Sequence, residues 1–248
     1  MKRMDERYAE IDLLRSLAIV CMIAYHAAFD LSFFYAFPLN PLSGGWLLLQ
    51  RFTANLFLLV VGVSFAISYG RMERRRARRT EILRKYAKRA ALLFACGGLV
   101  SAVTMVTAGD QWVRFGALHL ISTATLLLPF SMPLREGNVL LALGILCLSP
   151  VFRDLALDSP LLLPLGLPPR AFASVDYFPI IPWIAPVLLG AALGNALYNR
   201  HLLRRHLPDN RLTTLLVLPG RHALMIYLLH QPLLLLILWI LLKNPNIS

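Results

Sequence analysis

Seven stretches of this chain are long and apolar enough to cross a lipid bilayer, and that leaves little choice of fold. They run over roughly 11–36, 46–70, 90–108, 115–133, 139–152, 178–199 and 221–242. Inside hydrocarbon every backbone N–H and C=O must find its partner within the chain, so apolar segments of about 20 residues cross as helices. Composition excludes a soluble domain: 58% of the 248 residues are hydrophobic and 15% are charged, against about 25% charged in ordinary soluble domains. The expected fold is an all-α integral membrane protein, a polytopic bundle of about seven transmembrane helices forming one domain over 1–248. The fifth stretch is short and ends at Ser149-Pro150. Residues 212–219 read as a lead-in to the last helix, stopped by Pro219-Gly220.

Charge sets the expected orientation. The chain carries 25 Lys+Arg against 13 Asp+Glu, a formal +12, and the basic residues fall in short blocks between apolar stretches. Residues 71–89 hold ten Lys/Arg, opposed only by Glu73 and Glu81. Arg200, Arg204, Arg205 and Arg211 form a second block, and Lys2, Arg3 and Arg7 a third. Cytoplasmic loops are enriched in Lys and Arg, and seven spans put all three blocks on that side. The N-terminus is then inside, and loops 37–45, 109–114 and 153–177 and the C-terminus are outside. The outer loop 153–177, rich in Pro and Leu, has room for a short helix lying on the membrane. Placed in this way, the basic charge writes topology and leaves no nucleic-acid partner to expect.

Cys21, Cys96 and Cys147 all lie in apolar stretches at spacings that fit neither a disulfide framework nor a zinc site. The first apolar stretch carries Asp12 and Arg15 and lacks a small-residue cleavage site, so it reads as a retained helix rather than a signal peptide. No metal site is expected, because the intramembrane histidines fall on different helices.

Ionisable side chains at a helix centre in the membrane cost about 2.5–3.5 kcal/mol each, so each asks for a reason. The first helix holds Asp12, Arg15, His26 and Asp30. Asp12 and Arg15, three apart, share a face and can pair; alternatively Arg15 meets an anion from the cytoplasm. His26 and Asp30 are four apart on one face. A carboxylate one turn from an imidazole can fix its tautomer and suit it to act as a general base. A hydrogen-bonded packing histidine is the plainer alternative.

The expected topology then brings His26, Asp30, His119, Asp176 and His230 to similar depth in the outer half of the membrane, with Tyr177, Trp183 and Gln231 nearby. Pro179 and Pro182 within Phe178–Trp183 lack donor N–H groups and prevent a regular helical start. Gly62, Gly190 and Gly194 read as helix-packing positions. His201 and His206 read as solvated, Arg51 as snorkelling, and Asn55 as a hydrogen-bonding group without an assigned partner.

The stretch Ile11–His26 resembles the opening helix of membrane acyltransferases, with Arg15 and His26 spaced as in the Arg-x10-His motif of the acyltransferase 3 family. Tyr25-His26-Ala27-Ala28-Phe29-Asp30-Leu31 is more similar to bacterial relatives of heparan-α-glucosaminide N-acetyltransferase. So are Phe115-Gly116-Ala117-Leu118-His119, Asp176-Tyr177-Phe178-Pro179 with Pro182-Trp183, and Tyr227-Leu228-Leu229-His230-Gln231-Pro232. Ser16 stands where that pattern usually has glycine.

The resemblance implies a membrane acyltransferase using acyl-CoA, most simply acetyl-CoA, and an extracytoplasmic acceptor such as a sugar amine or hydroxyl. On that footing His26, Asp30, His119 and His230 are the catalytic candidates, with His119 or His230 donating to the oxyanion. Arg15, Arg71, Lys85, Arg89 and Arg221 are candidates for the CoA phosphates, and Asp176, Tyr177, Trp183 and Gln231 for the acceptor. Arg15 and His26, eleven positions apart, are separated by about 16 Å along a helix, a span of the order of a pantetheine arm. The expected location is a bacterial inner membrane, crossed several times; a homodimer is left open. A small proton-coupled transporter would also gather His and Asp at one depth, and a non-catalytic membrane subunit would explain the apolar spans alone.

Overall fold

The computed structural model describes residues 8–155, 159–169, 172–200 and 210–242. Lys2, Arg3, Arg7, His201, Arg204, Arg205 and His206 lie outside the described residues. The helices are α1 (Ala9–Tyr35), α2 (Gly44–Arg74), α3 (Arg79–Thr107), α4 (Ala117–Ser131), α5 (Asn138–Asp154), α6 (Ile180–Gly194), α7 (Arg211–Arg221) and α8 (Ala223–Leu242). Extended structure among the described residues is limited to an isolated parallel bridge between Phe115 and Tyr177.

Local chemistry explains several boundaries. α1 stops where Ala36 turns left-handed (φ 52°), the Phe37 N–H closes on the Leu31 carbonyl, and Pro38 forbids continuation. At the start of α3 the Glu81 carboxylate accepts from the Arg78 N–H, satisfying a backbone donor just ahead of the helix. α6 begins irregularly, as its prolines demand: Ile181 has φ −98° and ψ 121°, and the Ile181–Pro182 bond is cis. The lead-in helix exists as α7. It passes through Pro219 and Gly220 and ends at Arg221, and its 11 residues make about 16 Å of helix, too short to span. Between α5 and α6, Pro160–Leu165 form a short 3-10 turn.

Among the described residues, six helical stretches are long and apolar enough to cross a membrane, where the sequence predicts seven. The difference lies in Ala117–Phe152, which holds both α4 and α5. Just before α4 and α6, Phe115 pairs with Tyr177. Just after them, Glu136 accepts from Asn195 Nδ2 and from Arg200, both at 2.8 Å. α4 and α6 therefore run in the same direction. The chain turns at Arg135 (φ 51°, ψ −118°), and Asn138 Nδ2 closes the turn by donating to the Ser131 and Arg135 carbonyls. α5 then packs along α6, and the Pro160–Leu165 turn returns to the starting end, where the Tyr177 hydroxyl donates to the Leu163 carbonyl. The fourth stretch thus folds back on itself as two antiparallel helices, which is why it counts once by length where the sequence predicts two spans.

Backbone contacts divide the chain into two compact units, Met1–Phe57 with Arg205–Ser248, and Leu58–Arg204. In the first, α7 and α8 pack on α1. In the second, α3 lies on α4, with the Ser122 hydroxyl bonded to the Ala90 carbonyl, and α2 lies against α6. The α2–α6 approach needs glycine: a Cβ on Gly62 would sit 2.0 Å from the Val187 carbonyl, and one on Gly190 2.0 Å from that of Leu59. Small residues let membrane helices close to backbone contact, where dispersion and packing supply the attraction that water supplies elsewhere.

Candidate functional site

In the first unit, the early part of α1 and the end of α7 form a charged corner. Asp12 is buried and paired to Arg15 at 2.5 Å, and Arg221 Nε lies 3.8 Å from its other oxygen. Ser16 binds the helices together: its hydroxyl donates to the Asp12 carbonyl and accepts from the Gly220 N–H at 2.8 Å. Gly220 must be glycine here, since a Cβ would fall 1.9 Å from the Asp12 carbonyl oxygen. Arg15 and Arg221, expected to meet phosphates, share one carboxylate between them.

Further along, α1 and α8 place His26, Asp30, His230 and Gln231 together. The imidazoles of His26 and His230 meet edge to face with centroids 4.8 Å apart. His26 Nδ1 lies 2.9 Å from the Met22 carbonyl and His230 Nδ1 2.6 Å from that of Tyr227. A carbonyl oxygen can only accept, so both Nδ1 atoms carry the proton and, in the neutral rings, both Nε2 atoms carry the lone pair. Asp30, fully buried, accepts from Gln231 Nε2 at 2.7 Å. The His26 tautomer is therefore set by the backbone carbonyl one turn back, and Asp30 is held by Gln231. Three buried acceptor atoms of this cluster have no hydrogen-bond donor among the described residues: Asp30 Oδ2, His230 Nε2 and Gln231 Oε1. Leaving a buried polar atom unmatched costs about 1–3 kcal/mol, so three on adjoining side chains mark a place suited to a ligand that donates.

In the second unit, His119 stands in the first turn of α4, and its Nδ1 accepts from the Gly116 N–H at 3.3 Å. A backbone N–H only donates, so His119 is the opposite tautomer, with its proton on Nε2. Of the two histidines expected as oxyanion donors, His119 is set as a donor and His230 as an acceptor. Phe94 and Phe115 pack on the His119 ring.

Asp176 anchors the start of the same helix, accepting from the Ala117 N–H at 3.1 Å, where a negative charge also faces the positive end of the helix dipole. Burial pushes its carboxyl up to about 6, while the Ala117 N–H pulls the other way. The Tyr177 phenol, pushed up to about 12 by burial, donates to Leu163, and Trp183 packs on Phe178 at 4.6 Å. Asp176 and Tyr177, expected to meet the acceptor, therefore spend these polar atoms on the fold.

Also in this unit, Lys85 donates to the Ser68 hydroxyl at 2.8 Å and feels the positive charges of Arg89, Arg71 and Arg75. The three phosphate candidates Arg71, Lys85 and Arg89 thus share one hairpin. Asn55, in the first unit, turns back to the Arg51 carbonyl of its own helix.

The five groups expected at one depth fall into two sets, His26, Asp30 and His230 in the first unit, His119 and Asp176 in the second. The pairing of Gln231 with Asp30 and the contact of Gly220 with α1 join residues about 200 positions apart, and no local pattern announces them.

No curated protein and no solved structure matches the chain. The sequence model for "Heparan-alpha-glucosaminide N-acetyltransferase, catalytic" matches residues 7–232, most of the chain and every candidate site residue named above. The chain is a multi-pass membrane protein with an acetyltransferase signature, and it belongs to the family of the heparan-alpha-glucosaminide N-acetyltransferase catalytic domain.

Proposed function

We propose that this protein transfers an acetyl group from cytoplasmic acetyl-CoA to an amine or hydroxyl of an extracytoplasmic acceptor, with His26 as general base. In this reading the acceptor's N–H or O–H gives its proton to His26 Nε2 as the nucleophile attacks the thioester carbonyl. The C–S bond breaks, CoA leaves as a thiolate, and the proton passes from His26 to that sulfur. His230 packs beside His26, and Asp30 with Gln231 orients the acceptor by taking hydrogens from it. Among the cations, Arg71, Lys85 and Arg89 bind the donor's phosphates, while Arg15 and Arg221 hold the corner at Asp12. The basic hairpin faces the cytoplasm of a bacterial cell, in keeping with the distribution of Lys and Arg.

The observation that carries this reading is the set of buried, unmatched acceptor atoms beside a histidine whose Nε2 is free of its proton. An acetyl acceptor is a hydrogen-bond donor before it reacts, and a base positioned for it is worth about 10²–10⁴ in rate.

The test is transfer of labelled acetyl from acetyl-CoA in oriented vesicles supplied with an external glycan pool. Wild type should label external acceptors, and His26→Ala should lower transfer at least about 100-fold while leaving donor binding within a few-fold. Transfer that survives in His26→Ala would make His26 a packing residue. A purified protein that neither binds nor consumes acetyl-CoA would put the transporter reading in first place.

A further inference from the structure

A cavity of about 440 Å³ opens where α2, α3 and the end of α4 meet in the second unit, a volume within the roughly 300–1,000 Å³ of small-molecule sites. Tyr69 and Glu73 of α2, Arg79, Ile82 and Leu83 of α3 and Phe130 of α4 line it. None of them takes part in the proposed acetyl transfer.

Two opposite charges face this space without neutralising each other. The charges of Glu73 and Arg79 both act on the Tyr69 hydroxyl, yet among the described residues no ion pair joins them. Glu73 also sets the cavity apart from the positive surface around it. Residues 71–89 hold ten Lys/Arg opposed only by Glu73 and Glu81, and Glu81 is spent on the Arg78 N–H. A wholly anionic ligand would be repelled by Glu73 and a wholly cationic one by Arg79, while an uncharged one would leave both charges unmatched. A zwitterion matches both.

The place of the cavity narrows the ligand further. Glu73 and Arg79 flank the turn between α2 and α3, so its charged end lies where these helices leave the apolar layer. Away from that turn the lining continues into exposed apolar surface. Leu126 and Leu127 stand exposed one turn from Phe130 along α4, and Ala87 and Ala91 one and two turns from Leu83 along α3. Charges of both signs at head-group level, with an apolar strip leading into the membrane, match the layout of a zwitterionic phospholipid.

We infer that this cavity holds the head group of a phospholipid carrying a primary ammonium, an ethanolamine lipid from the leaflet on the hairpin's side. Glu73 accepts from the ammonium, Arg79 and the Tyr69 hydroxyl donate to the phosphate, and an acyl chain lies along Phe130 and Leu127. A choline lipid has the same net charge but no N–H to give the carboxylate, and a glycerol lipid brings the phosphate charge with no cation for Glu73.

The experiment presents the full-length protein in detergent micelles with equal amounts of ethanolamine, choline and glycerol phospholipids of identical acyl chains, and counts the retained lipids by native mass spectrometry. Wild type should retain the ethanolamine lipid about fivefold over either competitor, the worth of one exposed charge contact. Glu73 and Arg79 are both exposed, so their variants should fold normally. Glu73→Lys should reverse the order and favour the glycerol lipid. Arg79→Gln should lower retention of the ethanolamine lipid about fivefold. Soluble glycerophosphoethanolamine in large molar excess should fail to displace the lipid.

Equal retention of the three lipids by wild type would overturn the site. An unchanged order in Glu73→Lys would do the same, because the preference would then arise away from this cavity. Displacement by glycerophosphoethanolamine would also overturn it, making the occupant a soluble zwitterion. Each of these results leaves the acetyltransferase reading untouched.

Discussion

The two units use histidine in opposite ways, and position along a helix explains the difference. His26 and His230 sit within helices, where the nearby backbone groups are carbonyls with a spare lone pair, and each ring gives its Nδ1 proton to one of them. His119 sits in the first turn of α4, where N–H groups lack helical partners, and its ring accepts one. The same side chain is thereby left with a basic Nε2 in the first unit and a donating Nε2 in the second. A histidine's chemical role in a membrane helix can follow from how far it lies from the helix start.

One substitution applied to both regions would separate these roles. Glutamine can accept and donate hydrogen bonds but cannot serve as a base near neutral pH. His26→Gln should lower acetyl transfer about 100-fold or more, whereas His119→Gln, able to accept from Gly116 in the manner of a capping-box residue, should keep it within about tenfold. Equal losses at the two positions would show that the contrast in tautomer carries no functional contrast.

Next in size is a stability effect. His119→Ala removes the acceptor for the Gly116 N–H and should cost about 1–2 kcal/mol, read as a lower thermal midpoint, with His119→Gln restoring most of it. If the midpoint of His119→Ala matched wild type, the Gly116 bond would contribute nothing to the fold.

The last effect, no larger than that one, concerns Asp176 and follows from its raised carboxyl. In the folded protein the carboxyl holds its proton up to about 6, against an ordinary value of 3.8. Its protonation therefore favours the folded state fully below that ordinary value, and the contribution is lost as pH rises through about 6. Asp176→Asn, which can still accept from Ala117, should remove this slope. Against wild type it should gain about 1–2 kcal/mol in relative stability between pH 4 and pH 7. Identical pH profiles in the two proteins would show that burial places no penalty on the ionised group.

Much of this architecture is legible in the residues. Apolar length gives the spans, the three-residue spacing gives the Asp12–Arg15 pair, and Pro179 with Pro182 gives the irregular entry to α6. Gly62, Gly190 and Gly194 sit at backbone contacts, as small residues in apolar helices suggest. The partner of His26 is less legible. Spacing of four places Asp30 on its face, but spacing cannot rank Asp30 against a carbonyl that is already one turn back on the same helix. The Asp30–Gln231 bond depends on α1 lying against α8, and the need for glycine at 220 depends on α7 lying against α1. Those are facts about packing between helices, which periodicity along either helix does not encode.

The unmatched acceptors Asp30 Oδ2, His230 Nε2 and Gln231 Oε1 have a consequence for the protein's thermal behaviour. A ligand that supplies their hydrogens binds the folded chain and has no such site on the unfolded one, so by mass action it raises the melting temperature. Acceptor molecules could accordingly be screened by the heat resistance they confer. Replacing the same atoms with apolar groups of similar shape would make the uncomplexed protein more robust, and on the proposed function a poorer host for its acceptor, so in that reading stability and activity pull this cluster in opposite directions.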